Sequence, residues 1–167
     1  FNIVGNIVST NCLDGKNHFF VFAHDSKKIK ADAPGTFKVI YYILKENSWL
    51  ALGFCDKRQV EENKFIFAGK TPSNGCFILA TNNTIWHCED KRQRKRITVP
   101  EGYPTLQSKN IIFECRYTPL ESLVDFYVND KYLVSLKDVR PTKSKYLTPC
   151  IVFVKNCEVQ TTFDYPN

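Results

Sequence analysis

The feature that most constrains the fold is a two-residue alternation of apolar and polar side chains in the second half of the chain. In 112–117 apolar and aromatic residues occupy every second position, with the charged Glu114 and Arg116 between them, and 123–128 repeats the pattern. Successive side chains of a β-strand point to opposite faces of the sheet, so this spacing predicts strands with one buried face. The side chains predicted to face the core are Phe113, Cys115, Tyr117, Val124, Phe126 and Val128.

Further apolar runs are separated by short polar stretches, a pattern that predicts antiparallel hairpins. The predicted hairpins join 37–44 to 49–55, 76–80 to 84–87, 123–128 to 132–136, and 151–154 to 157–163. Asparagine and aspartate tolerate turn geometry, and three of these connections are short turns that contain them, Asn82-Asn83, Asn129-Asp130 and Lys155-Asn156. In the last strand we expect Cys157, Val159, Thr161 and Phe163 to face the core.

Helical signals are nearly absent from the sequence. Only 56–64 has a helix-friendly composition, and because Val60 is its sole apolar residue we expect at most one exposed turn. Many short strands without crossover helices predict an all-β fold, an antiparallel β-sandwich or barrel. The 167 residues fit one domain, 1–167, with no internal boundary or repeat. The chain has no Met, even at position 1, so we expect a domain of a larger or processed protein.

The cysteines and the hydropathy of the chain indicate a cellular compartment. Seven cysteines form no C-x-x-C pair, and an odd count argues against a closed disulfide framework. We therefore expect reduced thiols and a cytoplasmic or nuclear setting, although Asn82-Asn83-Thr84 is a glycosylation sequon that would matter in a secreted protein. No apolar run approaches the roughly 20 residues of a transmembrane helix, so we expect no membrane partner.

The sequence contains no recognisable catalytic constellation. Residues 68–71 match the end of a phosphate-binding loop, but Lys64 stands where that loop needs glycine and Pro72 follows where a helix would begin. His87 and Cys88 are neighbours, and neighbours in a strand point to opposite faces, so they cannot pair as base and nucleophile. The histidines are expected to be surface or hydrogen-bonding groups. We predict a protein that is not an enzyme, with no cofactor and no metal site.

Five cations lie together in the segment 91–96, and without them the formal net charge of +6 falls to +1. These basic residues are Lys91, Arg92, Arg94, Lys95 and Arg96. We interpret the segment first as a solvated connecting loop, with a targeting or partner-docking segment and a nucleic-acid contact as alternatives. Stacking on bases needs aromatic side chains on the same surface, and the nearest are Trp86 and Tyr103, so we do not expect nucleic acid as the main partner.

Several strand sequences, in this order along residues 37 to 165, resemble those of SPRY domains. The segment 49–55 (WLALGFC) resembles the family's "W-x-x-G-v" strand, and 75–87 resembles the next hairpin, which closes on an aromatic-His pair. The segments 111–117 and 124–131 are similar to the paired core strands that end in an "F-Y-x-N-G" turn. The segment 147–159 is similar to the closing "l-y-P-a-v" and "c-e-v" strands.

The resemblance implies a concanavalin-type bent jelly roll, an antiparallel β-sandwich that binds a partner protein or peptide through loops at one edge. It implies a non-catalytic role as a scaffold or ubiquitin-ligase-type adaptor, within a larger assembly. Among relatives, the SPRY-plus-SOCS-box adaptors look most similar. Their peptide pocket is lined by loops that correspond here to 65–70 and 154–156, and Lys155-Asn156 replaces the Trp-Gly of those relatives.

Exposed aromatic and arginine side chains carry much of the binding energy at protein interfaces, and loops vary freely on a rigid sandwich. Together with the two loops, this predicts the partner-binding residues Phe65, Phe67, Lys70, Tyr103, Arg140, Tyr146, Val154, Lys155 and Asn156. Two other function classes stay open from the sequence. One is a carbohydrate-binding sandwich, although the galectin signature is absent, and the other is a nucleic-acid-associated protein that uses 91–96.

Overall fold

The computed structural model describes residues 2–4, 7–9, 19–44, 49–65, 75–87, 94–104, 106–107, 110–153 and 158–164. These residues form short antiparallel strands, one α-helix and one 3-10 turn, Asp25–Lys27. The strands are β1 (Asn2–Val4), β2 (Ile7–Ser9), β3 (Phe19–Phe22), β4 (Ile29–Lys30), β5 (Gly35–Ile43), β6 (Leu50–Cys55), β7 (Cys76–Ala80), β8 (Thr84–Trp86), β9 (Arg94–Arg96), β10 (Ile111–Thr118), β11 (Leu123–Val128), β12 (Lys131–Leu136), β13 (Tyr146–Phe153) and β14 (Glu158–Asp164). The helix α1 (Lys57–Glu62) follows β6.

The strands form two sheets that pack face to face, as the predicted all-β sandwich requires. The first sheet has the order β1-β2-β14-β5-β10-β11-β12. The second has the order β3-β13-β6-β7-β8-β9, with β4 also paired to β13. The core between the sheets is rich in aromatic rings, and Phe37 of β5 meets Phe54 of β6 edge to face, with ring centroids 5.0 Å apart.

The alternation in the second half of the chain is confirmed by burial and by strand pairing. All six side chains predicted there to face the core are buried, and β10 pairs with β11 in the register Cys115↔Phe126. The predicted hairpins of β7 with β8 and of β11 with β12 are also present. In the last strand Val159 and Thr161 are buried, as predicted, while the side chains of 157 and 163 lie outside the described residues.

Two predicted hairpins are wrong, because each of these strand pairs crosses from one sheet to the other. β5 pairs with β10 and β14, whereas β6 pairs with β13 and β7. In the same way, β13 pairs with β6 and β3, whereas β14 pairs with β5 and β2. The physical reason is burial: β6 and β13 are buried on both faces along nearly their whole length, whereas β5 and β14 alternate. The strands buried on both faces, β6 and β13, therefore lie in a different sheet from β5 and β14, which are buried on one face.

The helix α1 corrects the prediction of an exposed turn over 56–64. Asp56 caps its N-terminus, and Val60, only 1% exposed, packs on the outer face of the second sheet. The cap places a carboxylate where the first helical N–H groups need an acceptor, and Gln59 N donates to Asp56 Oδ1 at 3.3 Å. Val60 alone can anchor this short helix, because the helix packs with one side on the sheet.

The basic segment is also corrected in part. Arg94–Arg96 is the strand β9, not a loop, and it pairs with β8 in the register Ile85↔Lys95. β9 lies at the edge of the second sheet, where charged side chains discourage pairing with another chain. Lys95 and Arg96 are exposed, and Lys91 and Arg92 lie outside the described residues.

Candidate partner-binding groove

Three segments that are distant in sequence meet at one end of the sandwich. They are 30–32 at the end of β4, 117–122 at the turn from β10 into β11, and 140–146, which leads into β13. Strand pairing brings them together, because β4 lies beside the start of β13 in the register Lys30↔Tyr146. We call the surface formed by these three segments the Arg140 groove.

The Arg140 groove consists of two adjoining depressions of about 540 Å³ and 520 Å³. The first is lined by Lys30, Ala31, Asp32, Pro141, Ser144, Lys145 and Tyr146. The second is lined by Ala31, Asp32, Tyr117, Pro119, Leu120, Ser122, Arg140 and Pro141. Because Ala31, Asp32 and Pro141 border both depressions, they form the ridge between them.

Hydrogen bonds from the sheet hold the second depression in shape. The Tyr117 hydroxyl donates to the carbonyl oxygen of Ala31 at 2.8 Å, which ties the 30–32 segment to β10. Arg140 Nε donates to Ser122 Oγ at 3.0 Å, and the Val139 N–H donates to the Ser122 carbonyl at 2.8 Å. Backbone and side-chain bonds therefore fix two walls of this depression to each other.

The first depression is held from the opposite side by Asp56, which is fully buried. Its Oδ2 accepts from the backbone N–H of Lys143 at 2.6 Å and of Ser144 at 3.0 Å. The Thr142 hydroxyl donates to Gln59 Oε1 at 2.8 Å. The residue that caps α1 thus also orders the turn that leads into Tyr146.

The side chains lining the groove offer both apolar and cationic contacts. Leu120 is 98% exposed at the tip of the turn between β10 and β11, where the Ser122 N–H donates to the Pro119 carbonyl at 3.1 Å. Tyr146 is 41% exposed. Burial raises the pKa of Tyr117, so its hydroxyl stays protonated and keeps donating to Ala31 at neutral pH.

The structure brings together two of the predicted partner-binding residues and separates them from two others. Arg140 and Tyr146 both line the groove. Phe65 is 44% exposed and contacts the rings of Phe20 and Phe22 at 6.1 and 6.3 Å, so it lies against β3. Tyr103 lies against β12, where its hydroxyl donates to the carbonyl oxygen of residue 132 at 2.8 Å.

The remaining predicted partner-binding residues lie outside the described part of the chain. They are Phe67, Lys70, Val154, Lys155 and Asn156. Tyr146, which lines the groove, begins β13, and the predicted 154–156 segment comes after the last residue of that strand in the sequence.

Sequence reasoning missed several lining residues, above all Lys30, Asp32, Leu120 and Lys145. The Pro119-Leu120 pair between two alternating strands was the available signal for an apolar residue at a turn tip. Nothing local marked the charged residues, because their position depends on which strands pair.

Of the neighbours His87 and Cys88, His87 belongs to the described residues. His87 is buried, its Nε2 lies 3.1 Å from the carbonyl oxygen of Asp138, and its ring meets that of Phe77 edge to face at 5.3 Å. This confirms the expected hydrogen-bonding role.

Among the described residues no three His, Cys, Asp or Glu side chains are grouped as metal ligands. The helices in the described part of the chain lack the length and hydrophobicity of a membrane span.

The fold is similar to that of solved SPRY domains. A human SPRY domain superimposes with a TM-score of 0.59 at 12% sequence identity, over 96% of this chain and 92% of that one. The SPRY domain of human HERC1 gives a TM-score of 0.57 at 15% identity, over 94% of this chain and 87% of that one. No protein-family sequence model and no curated protein sequence matches the chain. The predicted SPRY-like β-sandwich is confirmed as a fold.

Proposed function

We propose that this chain, which has the fold of SPRY domains, is a non-catalytic protein-interaction module that binds a partner protein or peptide through the Arg140 groove. The observation that carries the proposal is the composition of that groove. An exposed leucine, an exposed tyrosine and an arginine border two adjoining depressions on a rigid end of the sandwich. Aromatic and arginine side chains in pockets are the usual anchors of protein interfaces.

The ordering of the groove supports a binding role. Its walls are tied to β10, to the turn before β11 and to the N-cap of α1 by hydrogen bonds of Tyr117, Arg140 and Asp56. A surface already ordered before binding loses less conformational entropy when a ligand arrives. We further propose a role as a scaffold or ubiquitin-ligase-type adaptor, in which this domain contributes recognition and another part of the assembly contributes activity.

The test compares two matched double variants in an affinity purification quantified by mass spectrometry. Leu120→Ser/Tyr146→Ser removes two exposed apolar side chains from the groove. Ile40→Ser/Leu44→Ser removes two exposed apolar side chains elsewhere on the surface, whose exposure of 43% and 41% matches that of Tyr146, 41%, and is below that of Leu120, 98%. We expect the groove variant to lose specific partners that the wild type and the control variant retain.

A third arm addresses the position first suggested by the sequence. Phe65→Ser removes an exposed aromatic ring that lies against β3. Partners lost with Phe65→Ser and kept by the groove variant would move the binding surface to that face. Partners recovered equally by all variants would refute the proposed surface altogether, and specific retention of the wild type on a glycan array would favour a lectin instead.

A further inference from the structure

The cations of this protein fall into two groups, those with carboxylate partners and those without. Several described Lys and Arg side chains are paired, as in Lys38–Glu114 at 3.0 Å, Arg58–Glu62 at 3.2 Å and Lys143–Glu62 at 3.6 Å. Within the described part of the chain, the three cations that line the Arg140 groove, Lys30, Arg140 and Lys145, form no ion pair.

The groove therefore has an excess of positive charge. Its lining holds three cations and one carboxylate, that of Asp32, which gives a formal charge of +2. Only the Nε of Arg140 is engaged, with Ser122, so within the described residues its two Nη groups keep their donors for a ligand. A guanidinium with free Nη groups is suited to bidentate contact with a carboxylate.

The cations are distributed over both depressions, and each depression also has a tyrosine. Lys30 and Lys145 lie with Tyr146 in the first, and Arg140 lies with Tyr117 in the second. Beside Arg140, Pro119 and the exposed Leu120 supply an apolar surface. A ligand that fits both depressions has negative charge at two separated points and an apolar group next to one of them.

Resting on the proposed function, we infer that the Arg140 groove binds an acidic, extended peptide segment. One carboxylate contacts Lys30 and Lys145, a second contacts Arg140, and an apolar side chain packs on Leu120 and Pro119. Asp32, on the ridge between the depressions, disfavours a continuous run of negative charge and so selects separated acidic residues. The same carboxylate opposes a polyphosphate backbone, whose charges follow one another closely.

The experiment begins with selection from a phage-displayed library of random linear dodecapeptides on three forms of the chain. These are the wild type, Arg140→Glu/Lys145→Glu, and the control Lys95→Glu/Arg96→Glu, which reverses two exposed cations on β9. We expect wild type and control to enrich peptides with two separated Asp or Glu residues. The groove variant should retain those peptides at least about tenfold less, because like charges then face each other.

Direct binding then tests the charge itself. An enriched peptide labelled with fluorescein is titrated by fluorescence anisotropy at low and at moderate salt, beside its Asp→Asn and Glu→Gln counterpart. We expect tighter binding at low salt and a loss of at least about tenfold in affinity for the amide counterpart. Arg140→Gln/Lys145→Gln, which removes charge without reversing it, should weaken binding less than the Glu variant, and a circular-dichroism melt checks that each variant is folded.

The possible failures can be told apart. Enriched peptides that are neutral or basic, yet are lost with Leu120→Ser/Tyr146→Ser, would overturn the acidic-peptide inference and leave the proposed function standing. Peptides that bind all variants equally would overturn both. A 20-nucleotide poly(dT) probe that binds more tightly than every selected peptide, and is lost with Arg140→Glu/Lys145→Glu, would assign the groove to nucleic acid and overturn the inference.

Discussion

The outer faces of the two sheets differ in polarity and in solvent exposure. On the second sheet the outer face is apolar and buried, with Ile78 and Val152 fully inaccessible and Val60 of α1 packed against it. On the first sheet the outer face is more open, with Ile40 43% exposed, and Lys38 and Arg116 cover the buried carboxylate of Glu114 there. A sandwich needs only its inner faces buried, so the second sheet has an additional apolar layer that the first lacks.

This difference indicates which of the two outer faces contributes more to the stability of the fold. Apolar contacts on the buried outer face stabilise the fold in addition to the core. Polar contacts on the open face replace similar contacts with water, so they contribute little to the free energy of unfolding. The first sheet can therefore tolerate substitutions on its outer face that the second sheet cannot. Four measurements test that contrast, in order of decreasing expected effect.

The largest effect is expected from a matched pair of Ile→Ala substitutions on the two outer faces. Ile78→Ala removes buried atoms and leaves a cavity, so it should lower the free energy of unfolding by about 2–5 kcal/mol. Ile40→Ala, at a residue 43% exposed on the first sheet, should cost less than about 1 kcal/mol. Urea unfolding followed by tryptophan fluorescence measures both, and equal losses would mean that the two faces are not different.

The second effect concerns the thiols of the buried outer face. Cys55, Cys76 and Cys150 form no disulfide and are inaccessible to solvent, and burial raises the pKa of Cys55 well above its usual value. Because thiolate is the reactive form, we expect their alkylation in the native protein to be at least about 100-fold slower than in urea. Labelling with N-ethylmaleimide followed by peptide mass spectrometry reports each cysteine separately. Rapid native labelling of these three residues would show that the layer opens readily.

A smaller effect is expected from pH on the open face. Burial alone would raise the pKa of Glu114, but hydrogen bonds and charge from Arg116 and Lys38 outweigh it and hold the pKa below its usual value. A lowered pKa in the folded state stabilises the protein above the unfolded value of about 4.3, and this contribution is lost as pH falls through the folded value.

The comparison of wild type with Glu114→Gln isolates this contribution. The difference in their free energies of unfolding should be largest at neutral pH and should shrink between about pH 4.3 and more acidic values. Urea unfolding at pH 7, 5, 4 and 3 measures that difference. If it is constant across the series, the ionised carboxylate of Glu114 contributes nothing to stability.

The smallest effect is expected at Arg116, whose guanidinium lies 4.0 Å from the centroid of the Tyr127 ring. Arg116→Gln should lower the free energy of unfolding by about 1 kcal/mol, because the cation–π contact is half exposed and Lys38 still neutralises Glu114. The control is Lys131→Gln, whose ammonium lies farther from a ring, 5.3 Å from that of Tyr103. A loss at Arg116 as large as that for Ile78→Ala would contradict the contrast between the faces.

Residue patterns predicted individual strands well but not which strands would be neighbours. The alternation in 112–117 and 123–128 identified the buried faces of β10 and β11, since period and burial are local properties. Proximity along the chain wrongly predicted that β5 pairs with β6. The continuous burial of β6 was visible in the sequence as an unbroken apolar run. A short connection can turn within one sheet or cross to the other sheet, and this choice depends on packing that no local pattern shows.

The candidate site was accessible from sequence only in part, for a related reason. Arg140 and Tyr146 could be nominated by residue type, because arginine and tyrosine are common anchors. Lys30 and Leu120 could not, because each becomes part of the groove only when β4 pairs with β13 and when β10 turns into β11. The site is a product of tertiary pairing, so its composition follows from the topology.

The buried carboxylate of Asp56 has a consequence for how this surface can change over evolutionary time. Because Asp56 holds the turn at 143–144 through backbone N–H groups, its two hydrogen bonds to the turn do not depend on which side chains stand at 143 and 144. Different side chains at positions 143 and 145 can therefore change the chemistry of the proposed binding surface while these two hydrogen bonds are kept. A buried anchoring residue thus leaves part of the exposed surface free to vary in sequence while the architecture stays the same.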